Sequence, residues 1–211
     1  MPLNLPRPIL YAITDGATSS QIISDFVEFG EFLVNVELAV FLEVPLFQIR
    51  EKHLSTRALY ELVCAAAEVT RGSSTRLLVN DRFDVALAAG ADGVHLTSVS
   101  LPARVVREAC GPEFVIGVST HSVAEARRAR DGGADFIVFG PVFETESKRG
   151  FGPPQGLQKL QEVVTELEGF PVLAIGGITS DNLESCLALG ASGFGGISWF
   201  KGDAGFSASI L

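Results

Sequence analysis

Phe136-Ile-Val-Phe-Gly-Pro-Val-Phe-Glu-Thr-Glu-Ser-Lys-Arg-Gly-Phe-Gly-Pro-Pro-Gln-Gly-Leu157 changes character in its middle. From Phe136 to Val142 it is nearly all apolar, as a parallel strand covered on both faces would be. Thr145, Ser147, Lys148 and Arg149 then offer hydroxyls and cations, while Gly150, Gly152, Pro153 and Pro154 break regular structure. A buried strand feeding such a loop reads as an anion clamp, with lysine as a point charge and the hydroxyls as neutral donors. The alternative is a solvated crossover loop.

The same alternation runs through the rest of the chain. Strands are expected at 8–15, 46–52, 76–81, 93–96, 115–120, 136–142, 171–177 and 193–198. Helices are expected from Ser24 to Val34, from Ser55 to Thr70, over 83–89, from Pro102 to Ala109, from Ser122, over 157–167 and from Asp181 to Gly190. Ser55 is suited to an N-cap, Pro102 to a first helical turn, and Ser122 with Glu125 to a capping box. Eight strand–helix alternations indicate one α/β domain over residues 1–211, a (β/α)8 TIM barrel of the phosphate-binding type with a short C-terminal closing segment. Gly90-Ala-Asp-Gly-Val, Gly133-Ala-Asp-Phe-Ile and Gly190-Ala-Ser-Gly-Phe echo one another, each ending a helix at glycine and starting a strand after alanine.

The composition narrows the function. A chain of 211 residues with net charge −9 and no basic tract is no nucleic-acid surface, so an anionic ligand needs a local basic pocket. Cys64, Cys110 and Cys186 are far apart and odd in number, which reads as buried thiols in a reducing cytoplasm. No signal peptide is expected. Asn35, Glu37, Glu43 and Pro45 interrupt the apolar stretch at 31–49, which argues against a membrane span. The short C-terminal segment and the apolar content are compatible with a homodimer.

In a (β/α)8 barrel, the C-terminal strand ends face one pocket. Those positions hold Asp15; Gln48, Arg50 and Lys52; Asn80 and Asp81; His95; Ser119 and His121; Thr145, Ser147 and Lys148; Gly176 and Gly177; Ile197 and Ser198. Gly176-Gly177 reads as a phosphate site of backbone N–H groups, and otherwise as a tight turn. Arg50 and Lys52 share a direction if the strand reaches them, and so suit a second anion such as pyrophosphate. The alternative is a salt bridge to Glu51 or Asp81. Asp81 suits Mg2+, or else caps the helix at Phe83. His121 suits a general acid or base, or else only a hydrogen-bonding role. His95 reads as structural and His53 as a surface residue.

With these residues assembled, the chain resembles the thiamine phosphate synthase/TenI superfamily over about residues 9–200. The resemblance is carried by Tyr11-Ala-Ile-Thr-Asp15, Gln48-Ile-Arg-Glu-Lys52, Asn80-Asp-Arg-Phe-Asp84, Gly90-Ala-Asp-Gly-Val-His-Leu96, Gly117-Val-Ser-Thr-His-Ser122, Gly140-Pro-Val-Phe-Glu-Thr-Glu-Ser-Lys148 and Ala174-Ile-Gly-Gly-Ile178. It implies a cytoplasmic transferase coupling hydroxymethylpyrimidine pyrophosphate to thiazole phosphate. In that reading Gln48 contacts the pyrimidine, Arg50, Lys52, Asn80 and Lys148 hold pyrophosphate, and Asp81 holds Mg2+. Thr145 and Ser147 bind the thiazole phosphate side, Gly177, Ile197 and Ser198 its phosphate, and Ser119 lies between the substrates. Thr97-Ser-Val-Ser100 departs from the pattern, with Ser100 where the synthases carry a second Mg2+ carboxylate. Glu144, where synthases usually have proline, resembles TenI. The alternatives are therefore a TenI-like thiazole tautomerase using His121 as acid/base, and a non-catalytic binder of thiazole or thiamin phosphate. A phosphosugar isomerase fits the Gln-x-Arg-x-Lys phrase less well.

Overall fold

The computed structural model describes residues 5–145 and 153–197. Its elements alternate: β1 (Ile9–Ile13), α1 (Phe26–Phe41), β2 (Leu46–Ile49), α2 (Thr56–Thr70), β3 (Arg76–Asn80), α3 (Phe83–Ala89), β4 (Gly93–Leu96), α4 (Ala103–Cys110), β5 (Val115–Thr120), α5 (Val123–Asp131), β6 (Phe136–Phe139), α6 (Gly156–Glu166), β7 (Val172–Ile175), α7 (Ser180–Ala188) and β8 (Gly193–Gly196). The strands form a closed parallel barrel in chain order, as the alternation predicts. The described residues divide into two compact units, 11–95 with Ile197, and 5–10 with 96–196.

In the first unit Tyr11 registers with Leu46, Gln48 with both Ile13 and Leu78, and Asn80 with His95. Residues in register on parallel strands share a face, so Ile13, Gln48 and Leu78 point the same way. In the second unit Ser119 registers with Val138, and Val138 with Leu173. Here Gly117 has no room for a side chain, because a Cβ would enter the Phe136 ring.

The echoed phrases have one structural cause. Gly90, Gly133 and Gly190 take positive φ of 75°, 85° and 92°. The next alanine N–H then closes on a carbonyl five residues back, Ala91 to Ala86, Ala134 to Ala129 and Ala191 to Cys186. The third residue's N–H bonds the neighbouring strand, Asp92 to Leu77, Asp135 to Ile116 and Ser192 to Val172. Asp92 and Asp135 also accept the N–H of Leu77 and Ile116 through their carboxylates. Each phrase thus ends a helix and registers the next strand.

Several expected boundaries shift. β2 ends at Ile49, β6 at Phe139 and β8 at Gly196, so Arg50 and Lys52 lie on a loop rather than on a strand. The expected capping box is half formed. Ser122 Oγ accepts from Glu125 N–H, while the Glu125 carboxylate accepts from His121 N–H instead of Ser122. Of the cysteines only Cys186 is buried; Cys64 and Cys110 are half-buried. Among the described residues no helix is long and apolar enough to cross a membrane.

Candidate active site

The end of β2 carries the densest polar chemistry of the first unit. Gln48 is buried and its Nε2 has no hydrogen-bond partner among the described residues. A buried amide nitrogen left this way costs free energy until something accepts from it. Arg50 follows on the loop. Its backbone N–H donates to Thr14 Oγ1 (2.8 Å), and its guanidinium lies over Gly16, where a Cβ would come within 3.7 Å of Nη1. Among the described residues Arg50 forms no ion pair with Glu51 or Asp81, so the salt-bridge alternative does not hold for Arg50. Glu51 instead accepts from Thr14 Oγ1 (2.6 Å) and Thr18 Oγ1 (2.5 Å). Lys52 and His53 are exposed.

Asp81 closes β3. It stands at φ 63°, a left-handed conformation uncommon for a residue with a side chain. Its N–H donates to His95 O (2.8 Å) and its carbonyl accepts from Phe83 N–H (3.1 Å). Arg82 occupies the N-cap of α3 without a side-chain cap bond. The Asp81 carboxylate is therefore not a helix cap; it is exposed, in the field of Arg82. Asn80, half-buried, ends the strand beside it. His95 is buried, and burial followed by repulsion from Arg50 pushes its imidazole down to about 3. It is neutral near neutrality and serves the core.

A cavity of about 220 Å³ opens between the β1–α1 segment, α1 and β2. Asp15, Glu28, Glu31 and Glu51 line it, together with Ile197 and Phe32, and among the described residues no lysine or arginine does.

In the second unit Ser119 is half-buried on β5. His121 Nδ1 lies 2.5 Å from the Gly140 carbonyl. A carbonyl only accepts, so Nδ1 is the protonated donor of this bond, and Nε2 is the ring nitrogen left for another partner. Gly176 and Gly177 have φ of 90° and 65°. A Cβ on Gly176 would stand 2.5 Å from Pro141 Cβ, and one on Gly177 would enter the Glu144 carbonyl. Val142 and Phe143 N–H donate to Ile175 and Gly176 carbonyls. The paired glycines thus let the β7–α7 turn lie flush against 141–144, the segment leading to half-buried Thr145. Asn182 braces that turn, donating to Gly177 O and accepting from Thr179 N–H. Ser147, Lys148 and Ser198 lie outside the described residues.

Among the described residues no group of three or more His, Cys, Asp or Glu side chains is gathered for a metal ion. Ser100 Oγ is engaged with Thr97 N–H (2.7 Å) and Thr97 Oγ1 (3.0 Å). Asp81 offers one exposed carboxylate. This donor chemistry fits a Mg2+ that brings phosphate oxygens and waters with it, because Mg2+ is commonly held by one or two carboxylates plus substrate. It does not form an all-protein cage.

The Glu51–Thr14–Thr18 cluster was not legible as part of the site. Its only sequence signal was a threonine ending β1 and a glutamate between two cations.

A family model described as thiamine monophosphate synthase matches residues 10–200. The thiamine-phosphate synthase of Clostridium novyi is 39% identical over 194 residues, covering 90% of this chain and 88% of the relative. That of Moorella thermoacetica is 43% identical over 162 residues, 77% of each chain. Among solved structures, thiamine phosphate pyrophosphorylase from Pyrococcus furiosus superposes with a TM-score of 0.71 at 34% identity, covering 90% of this chain and 85% of that one.

Proposed function

Because the chain belongs to the thiamine monophosphate synthase family, we propose that it is a transferase joining hydroxymethylpyrimidine pyrophosphate to thiazole phosphate, with pyrophosphate as the leaving group. The observation that carries this reading is the chemistry at the end of β2. Among the described residues, a buried amide nitrogen without a partner, in Gln48, stands two residues from a guanidinium without an ion pair, in Arg50. That combination suits a polar ring attached to an anion.

Gln48 donates to the pyrimidine. Arg50, with Lys52 and Asn80, holds the pyrophosphate. The bond from the pyrimidine methylene carbon to the pyrophosphate oxygen breaks, and its electron pair leaves on pyrophosphate. The thiazole nitrogen then donates its lone pair to that carbon. Fixed cations favour this step because negative charge grows on the leaving group. Asp81 would hold Mg2+, which supplies further charge neutralisation at the pyrophosphate. Thr145, Gly176, Gly177 and Ile197 belong to the thiazole phosphate side and Ser119 to the reacting centre. Ser147, Lys148 and Ser198 enter from sequence alone.

A second reading rests on His121, whose Nδ1–H is tied to Gly140 so that Nε2 is a ready proton acceptor. In that reading the protein aromatises a carboxythiazole phosphate by proton transfer.

Paired turnover assays separate the two. Thiamin phosphate formed from both substrates with Mg2+, and lost in Asp81→Ala, supports the transferase. Metal-independent aromatisation without coupling, lost in His121→Ala, replaces it with the tautomerase. No turnover together with tight binding of thiamin phosphate indicates a binding protein.

A further inference from the structure

Glu51 is 3% exposed, yet forms no ion pair among the described residues. A buried carboxylate persists only where donors replace its lost water. The donors here come from one place, the segment that follows β1. Thr14 Oγ1 donates to Oε1 (2.6 Å), while Thr18 Oγ1 (2.5 Å) and Thr18 N–H (3.4 Å) donate to Oε2. The carboxylate therefore staples the β1–α1 loop to the β2–α2 loop.

The staple continues to Arg50. Thr14 Oγ1, having given its hydrogen to Glu51, accepts from Arg50 N–H (2.8 Å). Thr14 N–H also donates to Gln48 O (3.0 Å). Between the two threonines, Gly16 at φ 76° lies close against Arg50: a Cβ there would make a tight 3.2 Å contact with the Arg50 carbonyl. The backbone of Arg50 and the path of its guanidinium are both set by the loop that Glu51 holds.

We propose that Glu51 is a positioning residue for Arg50, fixing the guanidinium at the pyrophosphate through Thr14 and the β1–α1 loop. This rests on the reading of Arg50 as a pyrophosphate ligand. The Glu51 carboxylate is engaged by neutral hydroxyls, and among the described residues the neighbouring guanidinium has no carboxylate partner, which leaves it available to an anion. The Arg50 guanidinium is not shared with the adjacent carboxylate, because that carboxylate is directed to Thr14 and Thr18.

The test combines steady-state kinetics with calorimetric binding of inorganic pyrophosphate. Glu51→Gln and Thr14→Val each raise the pyrophosphate Kd and the KM for the pyrimidine substrate about tenfold. The KM for thiazole phosphate stays unchanged, and Thr14→Ser, which keeps the hydroxyl, restores wild-type values. Glu51→Gln adds nothing further in an Arg50→Ala background, as expected of residues acting as one unit. Additive losses in that cycle, or equal losses toward both substrates, overturn the proposal while leaving Arg50 as the ligand. Wild-type pyrophosphate affinity in Arg50→Ala instead overturns the Arg50 reading, and the proposal with it. If Glu51→Gln does not fold, the Thr14→Val and Thr14→Ser pair carries the same comparison.

Discussion

Tyr11 on β1 and His95 on β4 meet with ring centroids 5.5 Å apart. The two strands are not neighbours in the sheet, so both rings point into the barrel. This burial has a pH consequence. The His95 imidazole titrates at about 3 when folded, against an ordinary value of 6.5. The depressed value means that the unfolded chain binds the proton more readily. The stability is therefore fully present above about pH 6.5 and is lost as pH falls from there toward 3. Its size is on the order of a few kcal/mol. Denaturant titrations from about pH 7 to about pH 4 should show a stability slope that His95→Gln flattens. An unchanged slope in the variant would place the acid sensitivity elsewhere.

The Arg107–Asp135 pair predicts a large stability loss. Arg107 Nη2 lies 2.6 Å from Asp135 Oδ2, and both side chains are about four-fifths buried or more. The same guanidinium donates to the carbonyls of Gly111, Phe114 and Gly133. Burial pushes the Asp135 carboxyl up, and Ile116 N–H and Arg107 hold it down. Arg107→Ala leaves a buried carboxylate and three carbonyls short of a donor, at about 3 kcal/mol. Thermal melts should fall by roughly 10 °C. A shift of only a degree or two would mean that water replaces the guanidinium.

How far these features were legible in the sequence depends on the distance over which each is determined. The barrel followed from local alternation, and β4, β5 and α3 stand where the pattern put them. Strand ends did not follow, because they depend on distant partners: past Ile49 the Arg50 N–H goes to the Thr14 hydroxyl, 36 residues away, instead of to a strand carbonyl. That α1 runs on to Phe41, beyond the expected end at Val34, was hard to read because exposed apolar residues such as Phe26 and Phe41, 91% and 81% exposed, blur the amphipathic pattern. Gln48, Arg50 and Asp81 could be selected by residue type alone. Glu51 could not, since its partners Thr14 and Thr18 are 37 and 33 residues away.

Gly177→Ala should disturb one end of the site more than the fold. The substitution meets a positive φ of 65° and drives a methyl group into the Glu144 carbonyl. The cheapest relief is for 141–144 to move off the β7–α7 turn, displacing Thr145. Stability should drop by about 1–3 kcal/mol. The KM for thiazole phosphate should rise while that for the pyrimidine substrate stays constant. Equal changes in both would show that the turn serves the barrel as a whole.

Gln48→Leu should separate stability from function. In the free protein the Gln48 Nε2 is buried with no acceptor among the described residues. Leucine removes the unsatisfied donor at similar volume, so the free variant should be as stable as wild type or up to about 1–3 kcal/mol more stable. The substrate complex reverses the sign. A pyrimidine acceptor that was to receive the amide hydrogen then enters a pocket with nothing to donate. The KM for the pyrimidine substrate should rise at least tenfold, on the order of the loss of one buried hydrogen bond. Inorganic pyrophosphate, which has no ring, should bind as before. A melting temperature that rises with the KM identifies Gln48 as a side chain kept for its ligand. A fall in melting temperature with unchanged KM would show that the amide serves the barrel core and that the pyrimidine is held by other groups.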